Sequence, residues 1–486
     1  MDHAQAPVLE ALSAYHRRGP LSFTPPGHKQ GAGADPRAVE VLGDGVFASD
    51  ILAMNGLDDR RMGHGVLEHA QRLMADAVHA EHTFFSTCGS SLSVKSAMLA
   101  VAGPHEKLLV SRNAHKSVIA GLIIAGIEPV WVSPRWDAGH HFSHPPGPEQ
   151  VAAALDRAPD ARGMLLVSPT AYGTCADVRA IADLCHRAGK ALVVDEAWGA
   201  HLPFHPDLPT WAMDAGADVC VTSVHKMGAG LEQGSVFHLQ GDLVGPHTLK
   251  LCEDLLGTTS PSVLVYAGLD GWRRQMVEHG RSLLGNALDL AGRLREEIAR
   301  LPGLCALSCE LVGPGLAFGH DPLIVVIDVS ELGTSGYAVS DWLFDERAIA
   351  VGLADHRRVV VQITHADTEQ STGTLLDALA ELSTLRGTLP PPAAVALPSP
   401  AGLELETAML PRTAFFGPVE QIPVERSPGR VAAEMASPYP PGVPAVCPGE
   451  RISQEVADYL RTGAEAGMYV PDCTDPSLRT LRVVAE

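Results

Sequence analysis

Basic charge is in short supply in this chain. Lys and Arg number 36 against 57 Asp and Glu, a formal net charge of −21, with a pI near 5.4. Such a surface repels polyanions, so neither nucleic acid nor an anionic membrane is expected as a main partner, while small cations are weakly attracted. Paired cysteines are also missing. The nine cysteines lack metal-ligand spacing, and Cys88, Cys175, Cys185, Cys220 and Cys252 fall in separate predicted elements. That argues against a disulfide framework and for reduced, intracellular thiols, with no metal expected. No apolar run approaches the roughly 20 residues that span a bilayer. Met1-Asp2-His3-Ala4-Gln5 is not a basic region leading into an apolar core, so no secretory signal is expected and the cytoplasm is the default. Internal repeats are absent. What remains is 486 residues, 46% hydrophobic, enough for two or three globular domains.

From about residue 80 to 240, short apolar runs alternate with amphipathic segments. Strands are expected at Thr83–Ser86, Lys107–Ser111, Pro129–Val132, Gly163–Val167, Ala191–Val194, Ala217–Val221 and Ser235–His238. Helices are expected between them, at Ser91–Ala100, Ser117–Ala125, Pro148–Leu155 and Val178–Ala188. This order predicts an α/β fold, a mostly parallel central sheet with helices on both faces, whose ligands bind beyond the carboxyl ends of the strands. A long helix is expected over Val263–Leu301, then a smaller α+β region with strands near Pro322–Val329 and Arg358–Ile363. Leu389-Pro390-Pro391-Pro392 reads as a linker.

The chemistry concentrates at four strand ends. In Thr222-Ser223-Val224-His225-Lys226-Met227-Gly228, a lysine follows a buried run. A buried ammonium tends to lose its proton or find a partner, and a neutral amine can form a Schiff base with an aldehyde cofactor. Upstream, Val193-Val194-Asp195-Glu196-Ala197 delivers a carboxylate to a strand end. Asp195 either caps the following segment or keeps a pyridine nitrogen protonated. Gly89-Ser90-Ser91 opens a helix after a strand, which is an anion site or an ordinary cap. In Arg112-Asn113-Ala114-His115-Lys116-Ser117, His115 is a surface histidine or a ring that stacks on a cofactor. The order phosphate loop, histidine, Asp, Ser-x-His-Lys is far more specific than any of its parts, and it points to pyridoxal 5′-phosphate.

These stretches resemble the bacterial ornithine/lysine/arginine decarboxylases, pyridoxal-phosphate enzymes of fold type I. The resemblance covers nearly the whole chain. It adds Pro26-Gly27-His28-Lys29, Gly56-Leu57-Asp58-Asp59, Ser168-Pro169-Thr170-Ala171-Tyr172-Gly173, Thr258-Thr259-Ser260-Pro261-Ser262 and Pro438-Tyr439-Pro440-Pro441-Gly442-Val443-Pro444. The last of these distinguishes the family from aminotransferases of the same fold. The resemblance implies a short form without the N-terminal wing. Its parts would be an N-terminal arm over 1–60, a large cofactor-binding domain over 61–275 and a small α+β domain over 276–388. A linker over 389–402 and a C-terminal family domain over 403–486 would follow.

The resemblance also implies residue roles. Lys226 would be the Schiff-base lysine, Asp195 the pyridine-nitrogen partner and His115 the stacking residue, with Ala197 on the opposite ring face. Gly89, Ser90, Ser91, Ser223 and His225 would form the phosphate cup, completed by Thr259 and Ser260 of the second subunit of an obligate homodimer. The implied reaction is decarboxylation of a basic L-amino acid to its amine and CO2, with arginine expected ahead of lysine and ornithine. His225 or Lys226 would return the proton to Cα. Glu434, and more weakly Asp58, are candidates to receive the distal cation, the alternative for Glu434 being a solvated helix carboxylate. Trp198 stands on the substrate side where many short members carry histidine and some long ones tryptophan, and Cys88 where asparagine or another residue is usual. Two other readings remain. One keeps the cofactor but oxidises, deaminates or transaminates a basic amino acid or a derivative. The other is a non-catalytic regulatory paralogue, which an intact Lys226, Asp195 and His115 disfavour.

Overall fold

The computed structural model describes residues 1–53, 65–439 and 441–486. The Gly56–Asp59 motif, with Asp58, lies outside the described residues, as does Pro440. Seven strands recur in the order β1 (His82–Ser86), β2 (Lys107–Ser111), β3 (Glu128–Val132), β4 (Gly163–Val167), β5 (Ala191–Asp195), β6 (Val219–Ser223) and β7 (Ser235–Leu239). With them run the helices α1 (Pro7–Arg18), α2 (Val66–Ala77), α3 (Gly89–Val101), α4 (Lys116–Ala125), α5 (Pro148–Arg157), α6 (Val178–Arg187), the one-turn α7 (Val224–Met227) and α8 (Val263–Ile298). The expected strands and helices are all present, their ends shifted by a few residues at most. Helix starts follow local chemistry. Pro148 opens α5, where its missing N–H costs nothing, and Asp177 caps α6 by accepting from the Ala180 amide at 3.0 Å.

The chain divides into two compact units, each discontinuous in sequence. The first is Met1–Ala100 with Val193–Ser282, the second Val101–Leu192 with Leu283–Glu486. In the first, β5 pairs parallel with β6, β6 antiparallel with β7, and β7 antiparallel with β1. The two antiparallel ladders depart from the simple alternating pattern. The connection from Ser223 to Ser235 is too short for a parallel crossover, so the chain must return beside itself. In the second unit, β2 pairs parallel with both β3 and β4. The central residues of β2, β4, β5 and β6 are buried, the near-continuous apolar pattern of strands covered on both faces.

The first unit also anchors the N-terminus. Asp270 and Arg273, both fully buried on α8, pair at 2.9 Å. Arg273 donates to the His3 carbonyl at 2.8 Å, and Asp270 accepts the Val8 amide at 2.9 Å. The second unit carries an antiparallel sheet of Cys305–Leu307, Ile324–Asp328, Arg358–Gln362 and Leu353–Ala354. It also contains a C-terminal core around Val424, Ile452, Val456, Leu460, Val470, Leu481 and Val483. Among the described residues no helix is long and apolar enough to cross a membrane.

Candidate active site

Lys226 is carried on a helical turn rather than an open loop. Strand β6 runs through Ser223, α7 follows at once, and Gly228 ends it. A Cβ at Gly228 would sit 2.6 Å from the Val224 carbonyl oxygen, so only glycine lets the chain leave the turn there. The Lys226 amine lies 4.4 Å from the centroid of the Trp198 ring. Burial lowers its pKa, with the charges of Asp195 and Glu232 pulling the other way. Asp195, 5% exposed at the end of β5, is shifted oppositely. Burial raises its pKa, against the Lys226 charge and the Ala197 amide, which donates to it at 3.2 Å. Acid and base are therefore both pushed toward their neutral forms. A cationic ring nitrogen beside Asp195 would restore the missing charge balance.

The turn into α3 lies in the same unit. Gly89 takes φ +74°, a conformation that favours glycine, and its amide donates to the Gln233 carbonyl at 2.9 Å. Ser223 Oγ donates to Ser90 Oγ at 2.7 Å, and Ser93 and Ser235 hydroxyls meet at 2.9 Å in the interior. Ser91 is exposed. First-turn amides of a helix have no partner within the helix, and its positive end faces the same way. With the two serine hydroxyls, this donor set fits a phosphate dianion. The Lys226 amine and the Asp195 carboxylate fit the aldehyde and ring nitrogen of the same phosphorylated cofactor.

Other expected site residues fall as follows. His225 Nδ1 lies 2.9 Å from Glu232 Oε2 and 3.2 Å from the Gln233 amide nitrogen. Ala197 is buried beside Asp195. Thr259 and Ser260 are exposed in the single chain, the Ser260 amide donating to Thr258 Oγ1 at 3.1 Å. In the second unit, His115 caps α4, its Nδ1 accepting from the Ser117 amide at 3.2 Å and lying 2.9 Å from the Ser117 hydroxyl. Glu434, also there, is on no helix and is not solvated. It is 4% exposed, and its two oxygens accept the Thr474 and Arg482 amides at 2.7 and 2.6 Å.

Sequence reasoning missed Glu196, Glu232 and Glu450. Glu196, next to Asp195, is buried with no cation paired to it among the described residues; it accepts the Ala212 amide at 3.1 Å and the Cys220 thiol at 3.2 Å. Burial pushes its pKa up to about 8. The all-apolar strand ahead of it was the one available signal. Glu450 pairs with Arg112, far away in sequence, and nothing local announces it.

Comparison with known proteins places the whole chain. The model of the Orn/Lys/Arg decarboxylase major domain matches residues 6–314, and that of the family's C-terminal domain matches residues 399–473. An arginine decarboxylase of Halalkalibacterium halodurans is 38% identical over 99% of this chain and 98% of its own. An arginine decarboxylase of Bacillus subtilis is 35% identical over 100% and 99%. The constitutive lysine decarboxylase of Escherichia coli is 25% identical, over 97% of this chain and 79% of its own. A solved structure of the E. coli constitutive lysine decarboxylase shares the fold with a TM-score of 0.80 at 21% identity, covering 100% of this chain and 82% of that one.

Proposed function

This chain belongs to the Orn/Lys/Arg decarboxylase family, a family of basic amino acid decarboxylases, and on that premise we propose that its substrate is L-arginine, released as the corresponding amine and CO2. One observation carries arginine ahead of lysine. Two relatives named for arginine match at 38% and 35% end to end, whereas a relative named for lysine matches at 25% and extends beyond this chain.

Pyridoxal phosphate, when bound, supplies an aldehyde that condenses with amines and a pyridinium ring that takes up the electron pair left when CO2 departs. The chain's own residues prepare for it. Lys226 would hold the cofactor through its amine, and its lowered pKa leaves more of that amine neutral and nucleophilic near pH 7. Asp195 would keep the proton on the ring nitrogen, whose positive charge would offset the burial that raises the Asp195 pKa. Gly89, Ser90, Ser91 and Ser223 would bind the phosphate, with His225 beside them. His115 would face one side of the ring and Ala197 the other. His225 or Lys226 would return the proton to the substrate Cα.

Glu434, each of whose oxygens accepts a backbone amide, is proposed, with Asp58, to receive the guanidinium, with Trp198 shaping the substrate side. Thr259 and Ser260 would serve the neighbouring subunit of a homodimer. The same reading assigns the cofactor to 61–275, the family-specific functions to 403–486, and a cytoplasmic location.

The test is an aerobic and an anaerobic incubation of cofactor-loaded protein with arginine, lysine and ornithine, following amine, CO2 and peroxide together. Equal amine and CO2 from arginine, independent of oxygen, is the expected result. The same yield from lysine or ornithine alone would reassign the substrate. Oxygen-dependent peroxide with carbonyl products would replace decarboxylation by oxidation.

A further inference from the structure

The Lys226 amine meets an aromatic face where a charged partner is usual. Among the described residues no oxygen or nitrogen accepts a hydrogen bond from it. Asp195 and Glu232 act on it only as charges beyond ion-pair contact. His225, the adjacent imidazole, turns its Nδ1 to Glu232 at 2.9 Å. What the amine does meet is the Trp198 indole, 4.4 Å away at the ring centroid. A cation within about 6 Å of an aromatic face is attracted by the ring's quadrupole, and tryptophan attracts best. The attraction acts on the ammonium and not on the neutral amine.

A fixed turn holds the indole. The Gly199 amide donates to the Glu196 carbonyl at 2.8 Å, and the Leu202 amide to the Gly199 carbonyl at 3.0 Å. A Cβ at Gly199 would collide with Glu196 Cγ and lie 2.9 Å from Leu202 Cδ1, so the turn closes on bare backbone. The same turn is bonded to the end of β6. The Glu196 amide donates to the Val221 carbonyl at 2.9 Å, and the Ser223 amide to the Ala197 carbonyl at 3.4 Å. Strand β6 leads directly into the helical turn of Lys226. Ring and amine are therefore set by two backbone segments bonded to one another, both in the first unit.

We propose that Trp198 is the seat to which the Lys226 amine returns, as an ammonium, whenever the substrate amine displaces it from the cofactor. Trp198 is then a positioning residue that acts through Lys226. This rests on the reading that Lys226 carries the cofactor, and it selects Lys226 over His225 as the group that returns the proton. That proton arrives with the substrate's own ammonium group. When the bond from Cα to the carboxylate breaks, CO2 leaves and the bonding electron pair stays behind. The seated ammonium gives its proton to Cα, where that pair forms the new C–H bond. The neutral amine left on Lys226 no longer holds to the ring. It is free to displace the product amine, which takes up a proton from water as it leaves. A seat that grips only the charged form keeps the proton in the site and releases the nucleophile afterwards.

The test measures the Lys226 amine itself as well as turnover, for Trp198→Leu, Trp198→Phe and Lys226→Ala. The full chain freed of cofactor is labelled with acetic anhydride across pH, and the peptide carrying Lys226 is quantified by mass spectrometry. The cofactor-loaded protein gives kcat, KM and the visible band. In Trp198→Leu the midpoint of Lys226 labelling should fall by about one pH unit. That is a tenfold change, about 1.36 kcal/mol, in the range of a cation held on an aromatic face. Its kcat should fall about tenfold, with KM changed less. Trp198→Phe keeps a weaker face and should recover part of both. An unmoved midpoint in folded Trp198→Leu overturns the seat. A moved midpoint with kcat unchanged also overturns it, and a loss confined to KM would assign Trp198 to the substrate alone. Should Trp198→Leu not fold, Trp198→Phe decides: a lowered midpoint supports the seat, and an unchanged one overturns it. If Lys226→Ala keeps the visible band, Lys226 does not carry the cofactor, and both readings fall.

Discussion

The charges around Lys226 and those around His115 are treated in opposite ways. Near Lys226, burial lowers the amine's pKa and raises that of Asp195, so neither charge is fully supported by what surrounds it. Near His115, Arg112 has Glu450 and two carbonyls, Lys116 has Asp472 and a tyrosine face, and Arg112 is driven further toward its charged form. A polar group left short of partners costs stability unless something else completes it, so the first region is built for a ligand. In the second the cations of Arg112 and Lys116 each meet a carboxylate, and it behaves as scaffold. The difference separates binding machinery from framework among residues that look equally polar in a list.

Removing the amine is the most severe way to break the first region. Lys226→Ala is expected to lower kcat on the order of 10³-fold or more, since it deletes the group on which the others act as a unit. Amine release and loss of the cofactor's visible band check this. Its cost to stability without cofactor should stay below that of breaking the satisfied region. Glu450→Ala does the latter. It leaves Arg112 buried without its carboxylate and frees the Cys447 amide, which donates to Glu450 at 2.8 Å. The expected loss is about 3–5 kcal/mol, read from the denaturant midpoint. A smaller loss for Glu450→Ala than for Lys226→Ala would reverse the comparison.

Glu196 sharpens it further, because it adjoins Asp195 and its partners are an amide and a thiol. Its folded pKa, near 8, lies above the ordinary 4.5, so the folded state holds this proton more tightly than the unfolded chain. Its contribution is complete below about pH 4.5, falls as pH rises toward 8, and is level above that. Glu196→Gln keeps the neutral shape and removes the slope. The variant should gain about 2–5 kcal/mol on the parent between pH 5 and pH 9, measured by denaturation at both, the range following from 1.36 kcal/mol per pKa unit. Parallel pH profiles for parent and variant would mean that Glu196 is already ionised at neutral pH.

How far the site could be read in advance follows this division. The places of Lys226, Asp195, Ser90 and His115 at or just beyond strand ends were legible because each follows an apolar run that marks a buried strand, and residue types at strand ends are local facts. Glu434 was legible as a candidate but not in its setting. Its neighbours suggested a solvated helix, whereas the amides of Thr474 and Arg482 claim it from the interior. The partnership of Arg112 with Glu450 had no local sign at all. The antiparallel entry of β7 against β6 and β1 was missed for a related reason, since the direction of a strand depends on the length and path of its connection rather than on its composition.

By itself the sequence determined the alternation of strands and helices, the placing of reactive side chains at strand ends, the absence of membrane-length apolar runs and the motif order that marks the family. These rest on periodicity and on residue type, which neighbours a few positions away decide. Only the tertiary structure decided which charges are matched and which are left wanting. It alone turned Glu434 and Glu196 inward and set Gly442 against the edge of His115. Pairing, burial and pKa depend on atoms that meet in space after hundreds of intervening residues, and a buried charge takes its energy from those atoms rather than from its neighbours in the chain.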